Sequence, residues 1–294
     1  MRRPLTPDEM FPANVTGITT RMISVSAGVR LRVAEGPIRE EQGTAIVLLH
    51  GWGASLYSFR HAFDLLPAYG LRPIAVDLRG YGLSDKPAGR DSYSLNTYCA
   101  DVDALLDALS LPRAVLVGHS MGGGLALRYA MRAPARVAKL VLVNPTGLVD
   151  LRFLRWLRPG PLRAADVFDG GLVPRWLVAS ILRRIAYGDP ARVTQRDIDE
   201  YWAPTRLKGF VRAARAALTE FDWRRLSDAD AQSLTVPSVV ILGARDRLVG
   251  NTLEAAQRLP GTAVHEMDGG HCVHEEHSGE VYRIVGEFAG EFAR

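Results

Sequence analysis

The chain has 294 residues, 47% of them hydrophobic and 23% charged, the balance of an ordinary soluble globular protein able to bury a large core. A net charge of +4 with no dense Lys/Arg block interleaved with aromatics excludes a nucleic-acid partner. Two cysteines, Cys99 and Cys272, exclude a disulfide framework, and no apolar run is long enough to span a bilayer.

Residues 1–20 read as an irregular lead-in, with no signal-peptide core after Met1-Arg2-Arg3, and with two free thiols a cytoplasmic location is the expectation. Met22–Ser26 and Val29–Ala34, parted by Ala27-Gly28, predict a β-hairpin. Ala45–Leu49, Arg72–Val76, Ala114–Val117, Leu140–Val143 and Ser238–Leu242 are short apolar runs of the kind buried on both faces of a parallel sheet. Helices are expected near Tyr57–Leu66, Asn96–Leu109 and Leu125–Met131. In the second of these Val102, Leu105, Leu106 and Leu109 share one face. Such alternation predicts a doubly wound, mostly parallel sheet of about eight strands with helices on both faces.

The spacing breaks once. The 94 residues between Val143 and Ser238 far exceed a crossover helix, which with its loops takes roughly 20–30. Residues 148–235, with apolar, arginine-rich stretches such as Leu172–Tyr187 and Tyr201–Leu218, are read as a helical cap inserted after the sixth strand. The core is then 1–147 and 236–294. A helix at Thr252–Leu259, a strand near Ala263–Glu266 and a last helix at Glu280–Phe292 complete the chain.

The chemistry centres on Gly118-His119-Ser120-Met121-Gly122, placed between the Ala114–Val117 strand and the following helix. A strand that turns abruptly into a helix at Gly-x-Ser-x-Gly holds its serine in a strained conformation with the hydroxyl lifted above the sheet. Gly118 and Gly122 are needed because a side chain there would strike the neighbouring strand or helix. A serine hydroxyl needs a base, and the base needs a group to orient it. Asp246 follows the Ser238–Leu242 strand and His271 follows the Ala263–Glu266 strand, both at carboxyl ends. Two backbone amides should meet the oxyanion: Met121 N–H, and Trp52 N–H from the loop His50-Gly51-Trp52-Gly53, whose glycines Gly51 and Gly53 let the backbone come close.

The other histidines have plainer readings: His50 and His119 frame loops beside the site, His61 and His265 lie at surface or strand positions, and His274 and His277 sit on a short helix or turn. The cluster His271, His274, Glu275, Glu276, His277 does not fit His-Glu-x-x-His, so no metal is expected. Asp268 is a rival to Asp246, and so is the end of the Leu140–Val143 strand, which holds uncharged Asn144 with Asp150 further on. Among the cap apolars Trp156, Leu157, Trp176, Leu177, Ile181, Leu182 and Trp202, most should be packing. His119, Trp176 and Trp202 are candidates for a substrate pocket.

The motifs His50-Gly51-Trp52-Gly53, Asp77 to Ser84, Gly118 to Gly123, Gly243-Ala244-Arg245-Asp246 and Gly270-His271 together resemble the α/β-hydrolase superfamily, of the capped esterase, lipase and meta-cleavage-product hydrolase type. The order Ser120, Asp246, His271 is that superfamily's order. The resemblance covers nearly everything after residue 21. It implies a serine hydrolase acting on a small-molecule carboxylic ester of short to medium acyl chain, without cofactor. It also implies that the Asp77–Ser84 stretch is structural. Carbon–carbon cleavage of the meta-cleavage-product type is the nearest alternative, although those enzymes commonly carry Asn before the serine and Trp after the base, where this chain has His119 and Cys272. Lactone hydrolysis and perhydrolysis use the same motifs. Haloalkane dehalogenases and epoxide hydrolases use Asp at the elbow, against which Ser120 argues. A ligand receptor on the same scaffold is the non-enzymatic alternative.

Overall fold

A computed structural model of the chain describes residues 3–37, 43–151 and 173–290. Its frame is one sheet of β1 (Thr19–Ser26), β2 (Val29–Glu35), β3 (Thr44–Leu49), β4 (Leu71–Val76), β5 (Ala114–His119), β6 (Val137–Val143), β7 (Ser238–Gly243) and β8 (Thr262–Met267), in the order β1-β2-β4-β3-β5-β6-β7-β8. β1 and β2 form the expected antiparallel hairpin and β2 runs antiparallel to β4; every other pairing is parallel.

The apolar runs are continuous because each central strand feeds two cores. Ala45, Val47 and Leu49 of β3 point into one, and Ile46 and Leu48 into the other; Ala114 and Leu116 of β5 alternate with Val115 and Val117 in the same way. Each fully buried Leu, Ile or Val contributes about 1.5–3 kcal/mol, so a charge at any of these buried positions would break a core. The first face is closed by α2 (Leu95–Ala108) and α3 (Met121–Arg132), the second by α1 (Ala62–Leu65) and α10 (Ser278–Gly290). Ser94 Oγ accepts from Thr97 N at 3.2 Å and caps α2, whose Val102, Leu105 and Leu106 are buried as the periodicity predicts.

The continuous helix expected at Tyr57–Leu66 is instead a 3₁₀ turn at Leu56–Phe59, the four-residue α1, and a second 3₁₀ turn at Leu66–Tyr69. Burial here is not confined to one helical face: all of Leu56–Phe59, then Ala62, Phe63, Leu66 and Pro67 are buried, and Pro67 stands at the start of the second 3₁₀ turn.

Between β6 and β7 the described residues form α4 (Arg175–Ile181, continued by a π turn at Leu182–Ala186), α5 (Gln195–Trp202), α6 (Phe210–Glu220) and α7 (Asp228–Gln232). Trp156 and Leu157 lie outside the described residues. This insertion packs in two parts. Val178, Leu182, Ala186, Tyr187, Val193, Ile198 and Trp202 make a small cluster of their own with Cys272. Phe210, Ala213, Ala214, Ala217 and Leu218 of α6 instead join the core of the sheet's first face, together with Trp223, Leu226, Leu234 and Val236. The lead-in is tied to the first part: Phe11 N donates to Glu200 Oε1 on α5 at 2.8 Å. Short helices α8 (Leu253–Gln257) and α9 (Val273–Glu276) flank β8. Among the described residues no helix is long and apolar enough to cross a membrane.

Candidate active site

At the carboxyl end of β5, Ser120 has φ 54° and ψ −118° and is the residue from which α3 starts. A non-glycine residue here stores about 1–3 kcal/mol of strain, and the surroundings hold it in place. Ser120 N donates to Val143 O at 3.0 Å, and Ser120 O accepts from Gly124 N at 2.9 Å and Thr146 N at 3.0 Å. The flanking glycines are required by contact: a Cβ at Gly118 would lie 2.3 Å from Gly122 O, and one at Gly122 would lie 2.1 Å from Leu49 O. Among the described residues, the hydrogen bonds of Ser120 all run through its backbone.

At the carboxyl ends of β7 and β8 the structure brings Asp246 and His271 together, with His271 Nδ1 at 2.8 Å from Asp246 Oδ2. Oδ1 of the same carboxylate accepts from Leu248 N at 2.7 Å and Val249 N at 3.0 Å. Burial pushes the Asp246 carboxyl upward, but the imidazole and the two amides outweigh it and hold the group below its ordinary value. An ionised Asp246 fixes Nδ1 of His271 as the protonated nitrogen and leaves Nε2 with its lone pair. The rival Asp268 has an exposed side chain paired with Arg245, and among the described residues Asp150 meets Arg225 N, at 3.4 Å.

Asn144, which the sequence offered only as an uncharged stand-in for an acid, has a different place. Its φ is 40°. Its Nδ2 donates to Gly270 O at 3.0 Å and His271 O at 2.9 Å, and its Oδ1 accepts from Gly243 N at 2.9 Å. One buried side chain thus joins the ends of β6 and β7 to the loop carrying His271. An Asn, a residue type that tolerates positive φ, directly after a buried strand was the available sequence signal.

On the other side of Ser120 lies the loop after β3. A Cβ on Gly51 would stand 2.9 Å from Ser120 Cβ, so the chain passes directly over the serine. Gly53 is needed for a different reason: its surroundings are open but its φ is +75°. Neither Trp52 N nor Met121 N donates to another described residue, and the indole Nε1 of Trp52 bonds Ala214 O of α6 at 2.8 Å. His50 is fixed as the Nδ1–H tautomer, since Leu78 N donates to its Nε2 at 2.9 Å and Nδ1 lies 2.7 Å from Gly51 O. Asp77, wholly buried, accepts from Leu56 N and Leu83 N, both at 2.8 Å, and so ties its own stretch to the segment after this loop.

Behind the serine, His119 donates from Nε2 to His271 O at 2.9 Å and lies ring on ring against His271 (4.7 Å) and His274 (4.4 Å). Burial drives both His119 and His274 well below the ordinary imidazole range, with neighbouring histidines adding to it. His274 is completely buried and neither ring nitrogen has a hydrogen-bond partner. Of the remaining members of that cluster, Glu275 pairs with Arg60 and Tyr187, Glu276 accepts backbone amides, and His277 Nε2 donates to Asp268 O at 3.0 Å. Trp202 packs inside the insertion's own cluster, its indole donating to Val173 O at 2.8 Å. Trp176 is 70% exposed and is not brought to the serine by any contact among the described residues. Its neighbour Leu177 and Ile181 are also exposed, because the apolar faces of a helix this short cannot all turn inward.

Comparison with known proteins agrees with this fold. The sequence profile of the alpha/beta hydrolase fold family matches residues 44–278. Epoxide hydrolase A of Mycobacterium tuberculosis is 28% identical over 92% of this chain and 98% of its own. A non-heme chloroperoxidase of Streptomyces lividans is 35% identical over 70% of this chain and 76% of its own. Among solved structures, a meta-cleavage product hydrolase of Pseudomonas fluorescens superposes with a TM-score of 0.76 at 25% identity, covering 92% of this chain and 97% of that one.

Proposed function

The chain belongs to the α/β-hydrolase fold family, and on that premise we propose that it is a serine hydrolase cleaving small carboxylic esters through an acyl-enzyme on Ser120. The observation that carries this reading is the 2.8 Å bond between His271 Nδ1 and an ionised, twice amide-bonded Asp246, beside a serine held at φ 54° on a strand-to-helix turn.

Ser120 Oγ attacks the ester carbonyl carbon while His271 Nε2 takes its proton, and Asp246 stabilises the imidazolium that forms. The carbonyl oxygen gains the negative charge and is met by the uncommitted N–H groups of Trp52 and Met121. His271 returns its proton to the departing alcohol as the carbon–oxygen bond breaks, leaving Ser120 acylated. Water then attacks the acyl carbon, giving its proton to His271, and the acid leaves as Oγ is reprotonated. No cofactor enters. Residues 148–235 act as the cap that bounds the cleft, which favours short to medium acyl chains.

The experiment is a p-nitrophenyl ester series read for burst kinetics, with mass-spectrometric location of a phosphonate label. One label per chain at Ser120 is expected. A folded protein that neither turns over any ester nor takes the label would overturn the reading.

Carbon–carbon cleavage by the same serine and histidine is the second reading, favoured by likeness to the meta-cleavage product hydrolase across nearly the whole chain. A dienoate meta-cleavage product tested beside the esters separates the two. Epoxide opening, suggested by the name of one relative, is disfavoured because the elbow carries Ser120 rather than an aspartate.

A further inference from the structure

We infer that Glu276 is a positioning residue for His271, and that the insertion segment Ala186–Asp189 sets the base through it. This deepens the hydrolase reading above and rests on it for the role of His271.

Glu276 is 3% exposed and lies on α9, five residues after His271. Its carboxylate carries no ion pair among the described residues and is held by backbone amides alone. Oε1 accepts from Gly270 N at 2.7 Å and Gly188 N at 3.0 Å, and Oε2 accepts from Gly188 N and Asp189 N, each at 2.9 Å. One carboxylate therefore grips the residue before the base and the insertion at once. The two backbones also touch: a Cβ on Gly270 would fall 2.3 Å from Gly188 N, and one on Gly188 would fall 2.7 Å from Gly270 N. Cys272 N donates to Ala186 O at 2.9 Å.

The peptide groups around His271 are thus held from two directions. Asn144 takes the Gly270 and His271 carbonyls from below the loop. Glu276 and Ala186 take the Gly270 and Cys272 N–H groups from the insertion side. Without the carboxylate, Gly270 N–H is left buried and unpaired, two half-buried insertion amides lose their partner, and the segment holding Cys272 is released with them. The imidazole is then fixed from one side only. Displacing a catalytic group by about 1 Å slows a reaction by about 100-fold, and Glu276 itself meets no reacting atom.

The test compares wild type with Glu276→Gln and, from the insertion side, Gly188→Ala. Glu276→Gln keeps the shape but turns an amide NH₂ toward amide donors; Gly188→Ala forces the two backbones apart with Glu276 intact. Imidazole ¹⁵N shifts of His271 are read by NMR, together with kcat and KM on a p-nitrophenyl ester. In both variants we expect the shifts to move from a single Nδ1–H tautomer toward a mixture, and kcat to fall by about 10- to 100-fold with KM little changed. If Glu276→Gln does not fold, Gly188→Ala and Glu276→Asp decide. Folded variants with wild-type His271 shifts and wild-type kcat overturn the inference. A wild type that shows the single tautomer yet hydrolyses no ester sinks the proposed reaction and leaves the positioning role standing.

Discussion

The side-chain amide of Asn144 and the backbone carbonyl of His271 are joined at 2.9 Å, so the end of β6 fixes a loop that begins at the far edge of the sheet. The same amide reaches Gly270 O and its oxygen takes Gly243 N. Asn144→Ala removes one partner from each of three buried backbone groups, and a buried group so stranded costs about 1–3 kcal/mol. We expect about 2–3 kcal/mol of lost stability in urea unfolding with unchanged slope. A loss below about 0.5 kcal/mol would show the loop does not depend on it.

Ser120 offers a test in which activity and stability move apart. Ser120→Ala keeps the strained φ of 54° and removes the nucleophile, so kcat should fall by about 10⁴-fold or more while unfolding hardly changes. Ser120→Gly is equally inactive but relieves the strain, and should be the more stable of the two by about 1 kcal/mol. Equal stabilities would mean that the turn is not strained.

For Asp246 the expected loss on Asp246→Asn is about 10⁴-fold in kcat, because an amide cannot fix the His271 tautomer. The pH sign follows from the lowered carboxyl of the folded state. Its stabilisation is complete above the unfolded value near ~3.9 and is lost as pH falls through the lower folded one. Acid unfolding of Asp246→Asn should therefore be less steep than that of wild type below pH ~4. Superimposable curves would contradict this.

Three buried histidines make a second pH prediction. Burial lowers His50, His119 and His274. Below the ordinary imidazole value of ~6.5 the unfolded chain binds protons that the folded chain refuses, so stability is full above that pH and falls as pH drops. Each such histidine adds up to about 1.4 kcal/mol per pH unit to the slope. His274→Leu should flatten the slope between pH ~5 and ~6 by one proton's worth; denaturant midpoints across that range measure it. An unaltered slope would place a charged His274 in the folded state.

Legibility followed locality. Ser120 and Asp246 follow the buried strands β5 and β7, and His271 follows the half-exposed edge strand β8; a parallel sheet gathers such ends at one edge whatever lies between, so their nearness could be expected from a one-dimensional pattern. The strand runs were visible because both faces are buried. Tyr57–Leu66 was visible as a helical pattern but not as broken turns, since three- and four-residue spacings overlap over so short a stretch. The position of Asn144 was legible but its role was not, and Glu276 was hidden, because their partners are backbone atoms, which leave no mark on composition. Arg60 is similar: its pairing with Asp197 of α5 at 2.9 Å and with Glu275 spans more than a hundred residues. The long span between β6 and β7 was legible as an excess of length, but the division of its described residues into two packing groups depends on docking against the sheet, which local periodicity does not encode.

That division separates two jobs the chain must do. α6 is sunk into the sheet's foundations and holds the Trp52 indole, whereas α4 and α5 rest on a cluster of their own. Mutations among Val178, Leu182, Val193 and Ile198 spare the sheet's core but act on the cluster that holds Cys272, next to His271. Changes in α6 should therefore be felt first at the Trp52 loop, and changes in α4 or α5 at the loop after β8.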